Sequence, residues 1–382
     1  PRVEAVKAVD RVQRSGAYSN VLAARVSGFE SKGHASFQRL LYSTLRWLPH
    51  ADRRITEAAG ERRIDPLVRA TLRTAITDAA VLGTPDHAVV SEYVDLIRQL
   101  GLGRASGFVN AVLRAVLREG LPMPERLEDA YPNDIVEIVT GLLDAAAVDF
   151  LSSSNEPAEV GVHVPGSTAG GSGVPGSWYV PAAELDDALG EHPDLRVIDP
   201  ASAAVAIALD AADGHRVLDV AAAPGGKTLI ISDAVGSDGL VVACDVHSRR
   251  TRSARARTAR AGAPIEWMIA DGRRLPVAGG SFDRVLLDAP CTGLGTLRRR
   301  PEIRYRVELD APARYGKLQR GLLHSAMGAS RPGGRLVYSV CTVSREETIE
   351  VIDGLGFRPP EGLPGQRFGD GLLMAPHLTG TD

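Results

Sequence analysis

Apolar residues in the first third of the chain recur every three or four positions, with few long β-branched runs among them. This spacing matches the period of about 3.6 residues per helical turn, so each such stretch predicts an amphipathic helix. The stretches are VEAVKAVDRV, FQRLLYSTLRWL, DPLVRATLRTAITDAAVL, VVSEYVDLIRQL and SGFVNAVLRAVLR. The pattern predicts an all-helical first domain over residues 1–122.

Helix boundaries are marked by residues with special backbone preferences. Asp65 followed by Pro66 predicts a helix cap and first turn, and Gly101–Gly103 predicts a break between helices. Leu121–Arg126, LPMPER, predicts the start of a connector. A further helical stretch, PNDIVEIVTGLLDAAAVDFL, leads to a Gly-, Pro- and Ser-rich segment at Pro165–Ser177 that predicts a loop. We assign residues 123–198 to a linker and small connecting subdomain.

From Arg216 onward, short apolar runs alternate with longer helical ones. The short runs are RVLDV, GLVVACDV, APIEWMIAD, FDRVLLDAP and GGRLVYSVC. Such alternation is typical of a parallel sheet with crossover helices. It predicts an α/β domain over residues 199–382, and ligands of such sheets bind beyond the carboxyl ends of the strands.

Two cysteines follow two of these runs. Cys291 comes directly after RVLLDAP, and Cys341 follows GRLVYSV. Because the carboxyl ends of parallel strands share one edge, we expect the two thiols to meet at one mouth. Either cysteine alone could be a small core residue, since free cysteine is among the most buried residue types. The occurrence of both cysteines beside Asp288 favours a catalytic role for the thiols.

The strand ending in VLDVAAAPGGKT allows two nucleotide-binding interpretations. A phosphate-binding P-loop requires GxxxxGK[ST], and Ala221 stands where the first glycine should be. In the other interpretation, Gly225 and Gly226 let the backbone approach S-adenosylmethionine. Asp245 and Asp271 end the next two strands, where they could accept hydrogen bonds from the ribose hydroxyls and the adenine amino group. These acids favour the second interpretation.

Composition and charge are those of an ordinary globular protein. The chain has 382 residues, 44% hydrophobic and 24% charged, and no apolar run approaches the roughly 20 residues of a membrane span. The charged N-terminus shows no secretory signal, so we expect a cytoplasmic protein. The three cysteines are an odd number without CxxC spacing, and the nine histidines lack ligand spacing. We predict reduced thiols and no metal.

The net charge is −3, yet arginines cluster at two places, Arg249–Arg260 and Leu297–Arg306. Arginine forks beside an aromatic residue suit phosphates and stacked bases. The first cluster could equally be a solvated helix face. The second follows the DAPC strand end directly, so its arginines would stand beside the predicted site. We predict nucleic-acid contacts from four of them, Arg298, Arg299, Arg300 and Arg304.

The successive motifs resemble the Sun family of RNA cytosine-C5 methyltransferases, and within it the bacterial Fmu/RsmB type. They are DPASAAVA, AAAPGGKT, DVHSRR, ADGR, DAPCTGLGTLRRRPEIR and YSVCTVSREE. The helical half resembles the antitermination factor NusB at Asp86–Leu96, DHAVVSEYVDL, and Ala105–Arg114, ASGFVNAVLR. Together these resemblances cover nearly the whole chain.

The resemblance implies a Rossmann-like class I methyltransferase domain with a mostly parallel seven-stranded sheet, preceded by an all-α NusB-like domain. It also implies S-adenosylmethionine as cofactor and RNA, most specifically 16S rRNA, as substrate. Cys341 would add to cytosine C6, Cys291 would assist release, and Asp288 would bind the cytosine edge. Lys227 would hold cofactor or base, or else be a solvated lysine. The predicted cofactor-binding residues are Ala221, Ala222, Ala223, Pro224, Gly225, Gly226, Lys227, Asp245, Arg250, Asp271, Asp288 and Pro290.

The chain departs from the family pattern at three places. Val340 stands before Cys341 where the family usually has Thr or Ser. Val160–Trp178 lacks the arginine-valine-asparagine motif that is usual in the connecting subdomain. The sequence stops at HLTGTD, where the family continues into a last strand, so we expect an incomplete sheet edge or a truncated chain.

Other functions remain open from the sequence. The chain could be an RNA-binding or antitermination-like factor with a vestigial methyltransferase domain, or it could methylate another RNA such as tRNA. A DNA cytosine-C5 methyltransferase would take its nucleophile from Pro290-Cys291, whereas the additional Cys341 favours the RNA type. The NusB-like half could dock RNA or act as a scaffold. We expect a monomer whose partner is 16S rRNA or a small-subunit assembly intermediate.

Overall fold

The structure is a computed structural model that describes residues 1–120, 130–168, 170–260 and 264–381. The predicted connector at Leu121–Arg126 lies outside the described residues. The chain divides into two compact units. The first consists of Pro1–Glu137 and Arg299–Glu308, and the second of Ile138–Arg298 and Leu309–Asp382. The division into domains 1–122, 123–198 and 199–382 stays a prediction.

The first unit is helical where it is described, as the sequence predicts. Four of the five predicted stretches fall mainly in one helix each, and FQRLLYSTLRWL crosses from α3 into the first residue of α4. The helices are α1 (Arg2–Ser15), α2 (Ser19–Arg25), α3 (Ser31–Arg46), α4 (Leu48–Ala59), α5 (Pro66–Ala80), α6 (Asp86–Gln99) and α7 (Ser106–Arg118). The predicted cap of α5 is present, because the Asp65 carboxylate accepts hydrogen bonds from the backbone N–H groups of Leu67 and Val68.

The core of this unit is built from the apolar stripes of its helices. Phe37, Leu41, Leu72, Tyr93 and Ile97 are among its completely or almost completely buried side chains. A buried side chain of this size stabilises the fold by about 1.5–3 kcal/mol relative to an exposed one. The stripes that predict the helices are therefore also what holds them together.

The chain then forms a small antiparallel sheet. After α8 (Asn133–Leu143) and α9 (Ala147–Ser154) come β1 (Val160–His163), β2 (Ser177–Val180), α10 (Leu185–Glu191) and β3 (Arg196–Val197). The strand order is β2-β1-β3. The predicted loop at Pro165–Ser177 connects β1 to β2, and Ser177 already belongs to β2.

The remaining elements alternate as expected for an α/β domain. They are α11 (Pro200–Ala208), β4 (Arg216–Asp219), α12 (Gly226–Val235), β5 (Leu240–Asp245), α13 (Ser248–Arg260), β6 (Ile265–Ile269), β7 (Phe282–Asp288), α14 (Ala311–Ala329), β8 (Ser330–Ser339), α15 (Ile349–Ile352), β9 (Gln366–Phe368), β10 (Gly371–Leu373) and α16 (Pro376–Thr379). Each of the five predicted apolar runs forms a strand.

Five of these strands form one parallel sheet in the order β6-β5-β4-β7-β8. The predicted Rossmann-like class is thereby confirmed. The expected count of seven strands is wrong for the described residues, because β9 and β10 pair with each other as a separate short hairpin. The strand order reverses at β4, and such a switch point opens a crevice at the carboxyl ends of the strands.

Candidate active site

The loop between β4 and α12 contains the predicted cofactor residues Ala221–Lys227. Gly225 has φ of 96°, and a Cβ there would lie 3.3 Å from side-chain atoms of Trp267 and Thr258. Both the backbone conformation and the crowding therefore require glycine. Helix α12 begins at Gly226 without a side-chain cap, so its first N–H groups are available to an anionic ligand group. A loop of this kind fits the carboxylate of S-adenosylmethionine.

Asp245 and Arg250 join this loop from the end of β5 and the start of α13. Asp245 is 4% exposed and accepts hydrogen bonds from the N–H groups of Ala223, at 3.3 Å, and His247, at 2.8 Å. Arg250 donates to the Ala223 carbonyl. Carboxylate oxygens carry further lone pairs, so Asp245 retains acceptor capacity for ribose hydroxyls.

Asp271 follows β6 and binds a neighbouring arginine. Its carboxylate accepts from Arg273 Nη2 at 2.6 Å and Nε at 3.0 Å. These hydrogen bonds lower the pKa of Asp271 to about 2, so the group is ionised at neutral pH. The predicted adenine contact would have to share this carboxylate with Arg273.

Asp219, at the end of β4, is an acid that the sequence analysis did not single out. It is 1% exposed, and Thr228 Oγ1 donates to its Oδ2 at 2.7 Å. Burial raises the pKa of Asp219 to about 7. Its position directly after the apolar residues Val217 and Leu218 is the available signal, because an acid there follows a buried strand.

The structure brings the two predicted cysteines together. The Sγ atoms of Cys291 and Cys341 lie 3.3 Å apart, just beyond the carboxyl ends of β7 and β8. Cys341 is exposed, whereas Cys291 is half-buried. The hydrogen bond to Cys341, together with burial, raises the pKa of the Cys291 thiol well above its ordinary value. At neutral pH the pair therefore presents an accessible Cys341 beside a protonated Cys291.

Lys227 and Asp288 form an ion pair beside these thiols. Lys227 Nζ lies 2.6 Å from Asp288 Oδ2, and Ser339 Oγ donates to Asp288 Oδ1 at 2.8 Å. Burial alone would lower the pKa of Lys227, but the Asp288 carboxylate raises it above the ordinary lysine value. The Lys227 side chain is only 18% exposed. The alternative of a solvated lysine is therefore wrong, and its ammonium also interacts electrostatically with Cys341.

Glu347 is a further residue of this region that the sequence analysis missed. It is completely buried, and its carboxylate accepts hydrogen bonds from the segments that follow both cysteines. In the sequence it is one of two adjacent glutamates in SREETIE, a run typical of a solvated surface. No local pattern distinguishes it from its neighbours.

Gly295 allows the two cysteine segments to approach closely. Its backbone N–H donates to the Cys341 carbonyl at 3.0 Å. A Cβ at residue 295 would lie 3.1 Å from the carbonyl carbon and oxygen of Cys341. The glycine is thus needed for close packing against the segment that carries the exposed thiol.

The four predicted RNA-binding arginines have different surroundings. Arg298 donates to the carbonyls of Gly380 and Pro157, Arg299 is half-buried, and Arg300 is exposed. Arg304 is 1% exposed. It donates to the carbonyls of Arg46 and Ala130 and lies over the Tyr131 ring, 4.1 Å from the centroid.

The prediction that Arg304 contacts RNA is therefore wrong. Its guanidinium is enclosed in the helical unit, so phosphates cannot reach it. The residue stabilises the fold of that unit through hydrogen bonds and a cation–π contact.

The arginines of α13 are arranged differently. Five of them are exposed and, in the part of the chain that the structure describes, form no ion pair with a carboxylate. They are Arg249, Arg252, Arg255, Arg257 and Arg260. The helix itself contains no acidic residue, while Ala254 and Thr258 face inward.

Comparison with known proteins assigns both halves of the chain. The NusB family model matches residues 1–118, and the model of the 16S rRNA methyltransferase RsmB/F matches residues 206–357. A Thermus thermophilus protein, ribosomal RNA small subunit methyltransferase B, is 37% identical over 95% of this chain and 89% of its own length. The chain belongs to the RsmB/F family of 16S rRNA methyltransferases.

Other relatives agree with this assignment. A putative methyltransferase of Mycobacterium tuberculosis is 32% identical over all of this chain and 94% of its own. A probable ribosomal RNA small subunit methyltransferase B of Bacillus subtilis is 28% identical over 99% and 96%. The crystal structure of PH0851 superposes with a TM-score of 0.81 at 25% identity, covering 100% of this chain and 97% of that one.

Family membership settles several expectations from the sequence. The protein is an rRNA methyltransferase that uses S-adenosylmethionine, and RNA is its substrate. The alternative of an RNA-binding factor with a vestigial domain is thereby set aside. Over the described ranges, no group of side chains is arranged to hold a metal ion. Among the helices described, none is long and apolar enough to span a bilayer.

Proposed function

We propose that this family member methylates C5 of a cytosine in 16S rRNA through a covalent cysteine mechanism. The observation that carries the proposal is the pair of thiols, with Sγ atoms 3.3 Å apart, beside the Lys227–Asp288 ion pair. C5 of cytosine is a weak nucleophile, and addition of a thiolate at C6 makes it enamine-like. Two thiols and a carboxylate at the carboxyl ends of neighbouring strands suit this chemistry.

In this mechanism Cys341 is the nucleophile. It is the exposed member of the pair, so a base can reach it. The nearby Lys227 ammonium interacts favourably with its thiolate, which is the reactive form. Attack on C6 forms the carbon–sulfur bond. It also leaves electron density on the ring, which makes C5 nucleophilic.

Asp288 binds the cytosine during this addition. Its side chain is 32% exposed, and Lys227 and Ser339 fix both carboxylate oxygens. From that position it meets the N3/N4 edge and stabilises the charge that develops on the ring. Lys227 holds this carboxylate in place.

Cys291 assists release of the product. After methylation, a water molecule at this exposed site accepts the C5 proton as the bond between C6 and Cys341 breaks, so the electron pair of that bond leaves with sulfur as a thiolate. The protonated Cys291, 3.3 Å away, donates a hydrogen bond to that leaving thiolate. The raised pKa of Cys291 keeps its proton available for this role.

S-adenosylmethionine supplies the methyl group as an electrophilic sulfonium. Its binding residues in this proposal are Ala221, Ala222, Ala223, Pro224, Gly225, Gly226, Lys227, Asp245, Arg250, Asp271, Asp288 and Pro290. The uncapped start of α12 would bind the carboxylate of the methionine moiety, and Asp245 would accept hydrogen bonds from the ribose hydroxyls.

Phosphate contacts fall to exposed arginines. We assign them to Arg300 and to five arginines of α13, which we call the arginine face of this helix: Arg249, Arg252, Arg255, Arg257 and Arg260. Arg298 and Arg299 are half-buried, and their predicted RNA contacts are retained as part of the proposal. The enzyme acts as a cytoplasmic monomer on 16S rRNA or on a small-subunit assembly intermediate. The family's rRNA substrate supports the proposed RNA target of this chain.

A methyl-transfer assay tests the proposal. Radiolabelled S-adenosylmethionine is supplied with small-subunit rRNA that lacks its natural methylation, using wild type, Cys341→Ala and Cys291→Ala. We expect label in 5-methylcytidine with wild type and none with Cys341→Ala. Label in another nucleoside, or undiminished transfer by Cys341→Ala, would refute the mechanism. Label on tRNA alone would refute the 16S target.

A further inference from the structure

Glu347 is a buried carboxylate that the proposed mechanism does not use. It lies six residues after Cys341, and none of its surface is exposed. A buried carboxylate is stable only when several hydrogen bonds replace its hydration. The partners of Glu347 therefore indicate what the residue does.

One set of partners belongs to the segment that follows β7. The Thr292 backbone N–H donates to Glu347 Oε1 at 2.8 Å, and its Oγ1 donates to Oε2 at 2.5 Å. Gln319 Nε2 donates to Glu347 Oε1 at 3.1 Å and to the Pro290 carbonyl at 3.0 Å. Cys291 lies between Pro290 and Thr292, so the residues on both sides of this thiol are held.

The other set belongs to the segment that follows β8. Ser344 Oγ donates to Glu347 Oε2 at 2.7 Å, and Thr342 Oγ1 lies 3.2 Å from the same oxygen. Tyr338 donates its hydroxyl hydrogen to the Glu347 carbonyl at 2.8 Å. These contacts fix the chain around Cys341. Thr292 Oγ1 and Thr342 Oγ1 also lie 2.6 Å apart, which joins the two segments directly.

We infer that Glu347 is a positioning residue that sets the separation of the Cys291 and Cys341 thiols. Its two oxygens collect donors from both cysteine segments, so neither segment can shift without breaking charge-assisted hydrogen bonds. Loss of the carboxylate would strand buried donors on both sides and release both segments. In this role Glu347 itself touches neither substrate nor cofactor.

The consequence for the reaction rests on the proposed function, whereas the geometric claim does not. Adduct formation depends on the placement of Cys341, and release depends on the placement of Cys291. A misplacement of about 1 Å can reduce a rate by about 100-fold. Glu347 thus serves both halves of the reaction without taking part in either.

A binding measurement tests the geometry independently of methyl transfer. A trivalent phenylarsenical bonds two thiols only when they are close together. We expect wild type and Glu350→Gln to bind it tightly. We expect Glu347→Ala to bind it at least about tenfold more weakly, because thiols that are no longer held together must be brought together on binding, at a free-energy cost comparable to one hydrogen bond. Glu350 is exposed and is the matched control. Cys291→Ser defines the signal of a single thiol.

A conservative variant separates geometry from charge. In Glu347→Gln the amide oxygen can keep the Thr292 N–H and Gln319 donors, while hydroxyls rotate to accept from the amide nitrogen. We expect Glu347→Gln to keep kcat within about tenfold of wild type, and Glu347→Ala to lose about 100-fold. Unfolding midpoints and S-adenosylmethionine binding show that each variant is folded.

Two milder variants separate the segments. Thr292→Val removes one hydroxyl on the Cys291 side, and Ser344→Ala removes one on the Cys341 side. We expect Thr292→Val to slow release, so that protein–RNA adduct accumulates, and Ser344→Ala to slow adduct formation, each by about tenfold.

Several results would overturn the inference. They are arsenical binding by folded Glu347→Ala equal to that of wild type, a Glu347→Gln variant as slow as Glu347→Ala, or identical effects of Thr292→Val and Ser344→Ala. Failure of wild type to form any adduct with RNA would instead refute the proposed function. The arsenical result would then still decide the role of Glu347.

Discussion

Asp219 and Asp288 end neighbouring strands but have opposite surroundings. Asp219 is buried against Thr228, and burial raises its pKa to about 7. Asp288 is partly exposed and is paired with Lys227. Their environments therefore give the two carboxylates different roles: Asp219 is structural, whereas Asp288 can contact the substrate.

The raised pKa of Asp219 makes stability depend on pH. An unfolded aspartate has a pKa of about 3.9. Between these two pKa values the folded state keeps a proton on Asp219 that the unfolded state has lost. The contribution of this proton to the free energy of unfolding is therefore lost as pH rises from about 4 through about 7. We expect Asp219→Asn to gain stability relative to wild type by up to about 1.4 kcal/mol per pH unit in this window. Urea unfolding from pH 5 to pH 8 measures it, and a pH-independent difference would contradict it.

Lys227 holds the Asp288 carboxylate and interacts electrostatically with Cys341. We expect Lys227→Met to lower the single-turnover rate of methylation by about 100-fold, because both the carboxylate and the thiolate lose their cation. Lys227→Arg should retain part of the rate because it keeps the charge. A Lys227→Met rate within twofold of wild type would show that the ion pair is not needed.

Sequence reasoning succeeded for residues whose position in the fold is fixed by a rule. Cys291 and Cys341 follow parallel strands, and such strand ends meet at one edge. It failed for Glu347 and Arg304 because their burial depends on how loops pack. A glutamate in SREE and an arginine in RRRPEIRYR both resemble surface residues until distant segments enclose them.

At the scale of elements, the segment Arg299–Glu308 belongs to the helical unit although it follows the β7 strand end in sequence. Glu302 accepts hydrogen bonds from the Ser19 backbone N–H and hydroxyl, and Tyr305 donates to the Leu45 carbonyl. Arg304 is buried in the same unit. The segment is therefore part of the structure of that unit.

The buried contacts of Arg304 predict a large effect on stability. Arg304→Met would leave the carbonyls of Arg46 and Ala130 without their donor and remove the cation–π contact with Tyr131. We expect a loss of about 3 kcal/mol, measured by denaturant unfolding of the full chain. Arg300→Met, at an exposed position, is the control and should change stability by less than about 0.5 kcal/mol. Equal effects of the two substitutions would contradict the contacts described.

Gly295 links the two cysteine segments at close range. We expect Gly295→Ala to slow methylation by about tenfold, because the added Cβ must displace the Cys341 backbone by a few tenths of an ångström. Gly328→Ala, where a Cβ meets nothing within 4 Å, is the matched control. Unchanged activity of Gly295→Ala would show that the segments tolerate separation.

Elements were predictable in proportion to their length and pattern. The five sheet strands follow from clear apolar runs, and the first helices from regular amphipathic spacing. The strands β1 to β3 have only four, four and two residues, so no periodicity can develop in them. The β9–β10 hairpin was not foreseen, because its pairing is set by chain reversal and not by composition.

At the scale of the whole molecule, the net charge of −3 conceals a strongly positive helix. Helix α13 presents six exposed arginines, five of which form no ion pair among the described residues, and it contains no acid. Net charge therefore says little about RNA binding by this protein, whereas the local arrangement of charge favours it.

The arginine face of α13 predicts a salt-dependent affinity for RNA. Each phosphate contact to a single strand contributes about 0.7 to the slope of log affinity against log salt. We expect combined substitution of Arg252, Arg255 and Arg257 by Gln to reduce this slope by about 2. The same number of substitutions at Arg314, Arg358 and Arg367 changes net charge equally and should leave the slope nearly unchanged. Equal slopes for both triple variants would contradict phosphate contacts on α13.

The proposed mechanism is tested most directly by identifying the residue that bonds to cytosine. A fragment of 16S rRNA containing 5-fluorocytidine cannot lose a proton from C5, so the covalent intermediate stalls after methylation. Protease digestion and mass spectrometry of the trapped complex then locate the bond. We predict that the RNA is attached to the peptide containing Cys341. Attachment to Cys291, or the absence of any adduct despite methyl transfer to unmodified rRNA, would contradict the proposed mechanism.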